Sequence, residues 1–192
     1  PDYTTPATSV VVQHKLGAKR AGTFDVGCAC ASFPTALAAA HGIMATNHGI
    51  RRALVIGVYL MHRLAAPDDQ GIFFYGDGAG AAVLEPSPTP GLLGASFRAD
   101  GAFAKYWGIY SGGTVEPASA ASLAAGRTTV RMVERFPPEV NDEGWPAVVR
   151  ALAHDCAFAV GDIDLLVFTQ VRKRTIERTI WAEGVKLVND VT

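Results

Sequence analysis

Short apolar runs flanked by turn residues alternate along this chain with helix-length amphipathic stretches, the pattern of an α/β protein rather than a β-sandwich or a helix bundle. The pattern predicts a helix over Ser9 to Leu16, a strand over Thr23 to Ala29 and a long Ala-rich helix over Ala31 to Gly49. Ala53 to Tyr59 reads ALVIGVY, apolar on both faces, and predicts a strand covered on both sides. Ile72 to Tyr75 and Ala81 to Leu84 predict two strands joined by a tight glycine turn, Gly76 to Gly80. Glu85 to Gly91 is the one proline-dense stretch and predicts a boundary, with one unit over 1–90 and another over 91–192. Beyond it the pattern predicts a strand over Leu92 to Arg98, an irregular aromatic segment over Phe103 to Gly113 and a helix over Trp145 to Val160. A strand over Asp164 to Phe168 and a basic helix over Arg172 to Ala182 follow, and no repeat of fixed short period is visible.

Composition narrows the class. Of 192 residues, 49% are hydrophobic and only 18% charged, below the roughly 25% of an average domain. Disorder is thereby ruled out, and much of the surface is expected to be buried against other protein. A net charge of −1 gives no electrostatic case for nucleic acid. No apolar run reaches the roughly 18 residues of a membrane span, and no basic-plus-apolar leader opens the chain, so a cytoplasmic protein is expected. The three cysteines, Cys28, Cys30 and Cys156, cannot form a disulfide framework.

The chemistry centres on Cys30. Pro34 is tolerated only in the first turn of a helix, so a helix must begin close to Cys30, where the preceding strand ends. Free N–H groups and the positive helix end stabilise a thiolate there, and could also receive the oxyanion of an attacked thioester. Most unpaired cysteines are small buried apolar side chains; the strand-to-helix junction reverses that expectation for Cys30. Cys28 and Cys156 are expected in the core. A metal site at Cys28 and Cys30 would need further ligands at recognisable spacing, and none accompany them. Gly76 to Ala81 lacks the context of a nucleotide-binding loop, because its glycines alternate and strand follows. A hairpin bringing backbone close to the active centre is expected instead. His41 and His48, on the helix after Cys30, are expected at the surface. Arg172, Lys173, Arg174 and Arg178 either form a solvated helix face or attract phosphates.

Together these motifs resemble the thiolase superfamily, and within it β-ketoacyl-acyl carrier protein synthase III. Leu16 to Phe33 is similar to the approach to that family's nucleophile, Tyr75 to Leu84 to its glycine hairpin, and Arg98 to Gly101 to the first strand of its second half. Pro1 to Thr8 is similar to the segment after its second strand. The resemblance implies a five-layered αβαβα fold of two related halves, with 1–90 part of the first and 91–192 part of the second. It also implies that strands of both halves lie outside this chain.

By the same resemblance Cys30 is the acylated cysteine. Thr169 stands where the family's catalytic histidine is expected, Gln70 where an arginine contacts coenzyme A, and Arg172 where an asparagine contacts pantetheine. The activity implied is acylation of Cys30 by an acyl-CoA, then decarboxylative condensation with malonyl-acyl carrier protein in fatty acid or polyketide synthesis. No cofactor or metal is implied, and the partners are acyl-CoA, acyl carrier protein and a second copy of the chain, paired through the strand Ala53 to Tyr59. Two alternatives stay open. The acyl group could pass from Cys30 to an alcohol or amine, or the chain could be a noncatalytic partner with this fold.

Overall fold

The computed structural model describes residues 3–66, 68–183 and 187–188. The chain divides into two compact units, the first comprising Pro1–Gly57 and Ala81–Pro86, the second Val58–Gly80 and Ser87–Thr192.

In the first unit α1 spans Thr8–Lys15 and ends at Gly17, whose φ of 66° allows the chain to turn out of the helix. α2 spans Ser32–Thr46, with Pro34 in its first turn as its missing N–H requires. Alanines fill its middle and favour helix, and Asn47, in extended conformation, stops it short of the predicted Gly49. The predicted strand over Thr23 to Ala29 is not formed. The segment is extended but has no ladder partner among the described residues, and it closes in a 3₁₀ turn at Ala29–Ala31.

β1 spans Ala53–Leu60 and β2 Asp77–Leu84, and the two pair as a two-stranded sheet. β1 departs from the expected double cover: Val55 is buried, while Leu54, Ile56 and Val58 are 48%, 42% and 59% exposed. The predicted strand over Ile72 to Tyr75 is instead a 3₁₀ helix, Gln70–Phe74, opened by the Asp69 side chain accepting the Gly71 N–H at 2.7 Å. The predicted glycine turn is also overturned. Asp77 to Gly80 form the first half of β2, so Gly78 and Gly80 lie within a strand and Gly76 just ahead of it, and a Cβ at any of the three would meet nothing within 4 Å.

In the second unit Leu92 to Arg98 forms no strand, and Arg98 to Gly101 leads into a 3₁₀ turn, Gly101–Phe103, whose Ala102 N–H bonds Asp100 at 2.9 Å. β3 (Trp107–Gly108) pairs antiparallel with β4 (Arg131–Met132), with the short α3 (Ala120–Ala124) between them. α4 (Glu139–Asp142) and α5 (Gly144–Asp155) follow. α5 is five residues shorter at its C-terminus than predicted, because Ala157 turns left-handed at φ 56°. β5 is only Leu165–Leu166, pairing parallel with β6 (Leu187–Val188), and α6 spans Lys173–Glu183. Val130 and Ile176, each 1% exposed, anchor the core here. Thr175 and Thr179 are also buried, with Thr175 donating to Asp142 at 2.7 Å and Thr179 to the Thr175 carbonyl at 2.9 Å. Cys156, expected mid-helix in the core, is the half-buried residue that caps α5.

Among the described residues no helix is long and apolar enough to cross a membrane.

Candidate active site

Cys30 sits at the centre of the 3₁₀ turn Ala29–Ala31, immediately before α2, and its side chain is exposed. The turn is tight because Ala29 adopts φ 48°, a left-handed conformation that costs an L-residue with a Cβ roughly 1–2 kcal/mol. Such strain persists only where neighbouring contacts over-determine it. Three bonds do so here. The Cys28 N–H donates to Ser32 Oγ at 2.8 Å, the Ala31 N–H to the Cys28 carbonyl at 3.0 Å, and the Ser32 N–H to the Ala29 carbonyl. The turn places Cys30 two residues ahead of a 15-residue helix, at its positive end.

The approach to this turn is tied down at Asp25, whose carboxylate accepts the backbone N–H groups of Thr8 and Ser9 at 2.7 and 2.8 Å. The neighbouring Ser9 hydroxyl, with the Ser9 and Thr8 N–H groups, holds the Asp25 carboxyl below its ordinary range and outweighs the opposing effect of burial. That hydroxyl is buried and has no hydrogen-bond partner within ordinary geometry, so its effect on the carboxylate is one of proximity. On the far side, Phe33 packs against β1: a Cβ at Gly57 would lie 3.1 Å from the Phe33 ring.

The comparisons with known proteins converge on one family. The family model for 3-oxoacyl-[acyl-carrier-protein (ACP)] synthase III matches residues 24–101, which include Cys30 and β2. β-Ketoacyl-[acyl-carrier-protein] synthase III of Desulfitobacterium hafniense (strain DSM 10664 / DCB-2) is 36% identical over 190 residues, covering 96% of this chain and 56% of that protein. The Symbiobacterium thermophilum protein of the same name is 37% identical over 186 residues, 94% of this chain and 55% of its own length. Among solved structures, 3-oxoacyl-(acyl carrier protein) synthase III from Pseudomonas aeruginosa PAO1 superposes with a TM-score of 0.83 at 24% identity, over 99% of this chain and 59% of that one. The priming β-ketosynthase from the R1128 polyketide biosynthetic pathway does so with a TM-score of 0.77 at 28% identity, over 98% and 57%. The fold is thiolase-like and resembles that of β-ketoacyl-[acyl-carrier-protein] synthase III. This chain spans little more than half the length of the synthase III relatives it matches.

Within that synthase III-like frame, the residues singled out in the sequence fall in different units. Cys30 is in the first. Thr169 lies in the second, exposed on the irregular segment that follows β5, and Arg172 is exposed just ahead of α6. Gln70 opens the 3₁₀ helix before Tyr75, and its side chain lies outside what is described. Cys28, expected in the core, is exposed beside Cys30, because the segment is a surface turn rather than a strand. His41 and His48 are exposed, as the sequence suggested. Of the basic cluster, Arg178 is paired with the Asp142 carboxylate, leaving Arg172, Lys173 and Arg174 exposed around the start of α6.

Sequence reasoning missed one pair. His62 Nδ1 and the Asp77 carboxylate form a short hydrogen-bonded pair between the end of β1 and the first residue of β2. Nearby, the Trp107 indole N–H donates to the Tyr75 hydroxyl at 3.2 Å, and Tyr75 lies 6.4 Å from Tyr59 ring to ring. Separated by fifteen positions, His62 and Asp77 share no local motif; only the pairing of β1 with β2 brings them together.

Proposed function

We propose that this chain belongs to a condensing enzyme of the β-ketoacyl-acyl carrier protein synthase III type. The observation that supports it is the strained, exposed turn that presents Cys30 at the start of α2, within the segment matched by the synthase III family model. In this reading the Cys30 thiolate attacks the carbonyl of an acyl-CoA, the tetrahedral intermediate collapses with coenzyme A leaving as thiolate, and the acyl group stays on the sulfur. A malonyl thioester on acyl carrier protein then loses carbon dioxide, and its carbanion attacks the acyl carbonyl to expel Cys30 and form the new carbon–carbon bond. The Ala31 and Ser32 N–H groups close the turn, so in this reading the Cys30 N–H stabilises the oxyanion in both attacks. A second copy of the chain, meeting the exposed apolar strand β1, would cover Leu54, Ile56 and Val58.

One observation favours a second reading. Thr169, at the position where the family's histidine is expected, offers a single uncharged donor to a developing enolate. Transfer of the acyl group to an alcohol or amine would need no such donor.

Intact-mass measurement after incubation with short acyl-CoAs tests the shared step. An acyl adduct that vanishes in Cys30→Ala is expected, and no adduct with any acyl-CoA would sink both readings. Carbon dioxide release from a malonyl thioester by the acylated enzyme then separates condensation from simple transfer.

A further inference from the structure

Cys28 is a second exposed thiol close to Cys30, and the acyl-transfer chemistry leaves it without a role. Only Ala29 separates the two sulfurs, and the backbone reverses there at φ 48°. Two trans peptide links hold neighbouring Cα atoms about 3.8 Å apart each, so a turn at the intervening residue shortens the Cys28–Cys30 separation below its extended limit. That brings it toward the roughly 4.4–6.8 Å seen between bridged cysteines. Neither cysteine is bridged, and both are exposed. Cys30 stands in the turn that leads directly into α2, open to a small oxidant.

We propose that Cys28 and Cys30 form a redox switch, in which Cys28 is the resolving thiol that protects the nucleophile by bridging to it. This rests on Cys30 being a reactive nucleophile, as in the proposed function. The oxidant is a hydroperoxide. The Cys30 thiolate attacks its terminal oxygen, the O–O bond breaks, and an alcohol, or water from hydrogen peroxide, leaves with one proton taken up. Sulfur is oxidised to the sulfenic acid and the peroxide oxygen is reduced. The Cys28 thiol then attacks the Cys30 sulfur and expels the hydroxyl as water, with the Cys28 proton, forming the Cys28–Cys30 disulfide. A dithiol returns both thiols by exchange and is itself oxidised to a cyclic disulfide.

The bridge closes a ring spanning a single intervening residue, and a disulfide held in such a small ring is strained and readily reduced. It would therefore behave as a reversible lock rather than as a structural staple. While it is closed, Cys30 can neither accept an acyl group nor proceed to the irreversible sulfinic and sulfonic acids.

The test treats the reduced full chain with hydrogen peroxide, first one equivalent and then a several-fold excess, and follows intact mass, tryptic peptides and acylation. Arg20 and Arg51 bound one tryptic peptide that contains Cys28 and Cys30 but not Cys156. The expected result is a loss of about 2 Da confined to that peptide, loss of alkylation at both cysteines, and return of both thiols with dithiothreitol. Cys28→Ser should instead gain about 16 Da per oxygen and progress to sulfinic acid that dithiothreitol does not reverse. In reducing buffer Cys28→Ser should take an acyl group as the unaltered chain does. Oxygen addition without the 2 Da loss in the unaltered chain would overturn the proposal, as would a bridge to Cys156 or between two chains. Failure of the acyl-transfer reading shows itself separately, as no acyl adduct on the reduced chain even where the bridge forms.

Discussion

Asp25 accepts the backbone N–H of Ser9 at 2.8 Å from sixteen positions along the chain, and that of Thr8 at 2.7 Å with its other oxygen. Ala7, the residue preceding α1, has no side-chain cap to offer, so a carboxylate from the approach to Cys30 does that work and meets the positive helix end. Asp25→Asn should lower stability by about 1 kcal/mol, a modest value because the site is exposed. The carboxyl is held below its ordinary value in the folded chain. Its stabilisation is therefore complete above the unfolded-state value near 3.8 and is lost as pH falls through the lower folded value. Thermal melts between pH 6 and 2.5 should show the difference between the unaltered chain and Asp25→Asn shrinking across that acid window; a constant difference would contradict the assignment.

The ends of α1 and α5 have the same geometry with different residues. After α1, Gly17 and Ala18 donate to the carbonyls of His14 and Gln13 at 3.0 and 3.1 Å; after α5, Ala157 and Phe158 donate to those of His154 and Ala153 at 3.2 and 3.0 Å. Gly17 takes φ 66° without a Cβ penalty, whereas Ala157 holds φ 56° against one. Ala157→Gly should raise stability by about 1 kcal/mol in chemical denaturation, and Gly17→Ala should lower it by a similar amount.

Gly94 packs where almost no side chain fits. A Cβ there would lie 2.6 Å from Cys156 Sγ and 3.2 Å from Leu152 Cδ1. Gly94→Ala should cost about 1–3 kcal/mol through overpacking. Adding Cys156→Ala removes the nearer atom, so the double variant should be more stable than the sum of the two single losses predicts.

Thr175 and Arg178 converge on Asp142, joining α6 to α4. Thr175 is fully buried, so Thr175→Val leaves Asp142 with one partner fewer and should cost about 1–2 kcal/mol. A double-mutant cycle with Asp142→Asn should return a coupling of at least about 0.5 kcal/mol, and strict additivity would contradict the network.

Thr169 sets the last expectation. If it replaces a histidine that holds the malonyl thioester carbonyl, Thr169→His should raise carbon dioxide release from malonyl thioester at least about tenfold without changing the extent of Cys30 acylation. An unchanged rate would remove Thr169 from the decarboxylation step.

The helices were largely readable because their cause is local. Pro34 and the alanines after it, or the apolar spacing of Trp145 to Leu152, act within a few residues, and α1, α2, α5 and α6 lie within a few residues of where the pattern predicts them. Strands depend on a partner instead: β1 lies within one residue of its predicted span, where β2 supplies its ladder. Thr23 to Ala29 and Leu92 to Arg98 have strand-like composition, but a strand exists only where another supplies its ladder bonds, and neither segment has one among the described residues. Ile72 to Tyr75 went to a 3₁₀ helix because the Asp69 side chain captures the Gly71 N–H.

At the site, sequence alone determined that the helix begins close to Cys30, since Pro34 must fall in its first turn and so admits no start much earlier. Tertiary structure decided what surrounds it. The left-handed turn at Ala29, the exposure of Cys28, the Asp25 clamp on α1 and the His62–Asp77 pair depend on where separate stretches of backbone meet. A one-dimensional pattern encodes each element's own preference, while contacts between elements arise only when burial and hydrogen bonding select one arrangement of the whole.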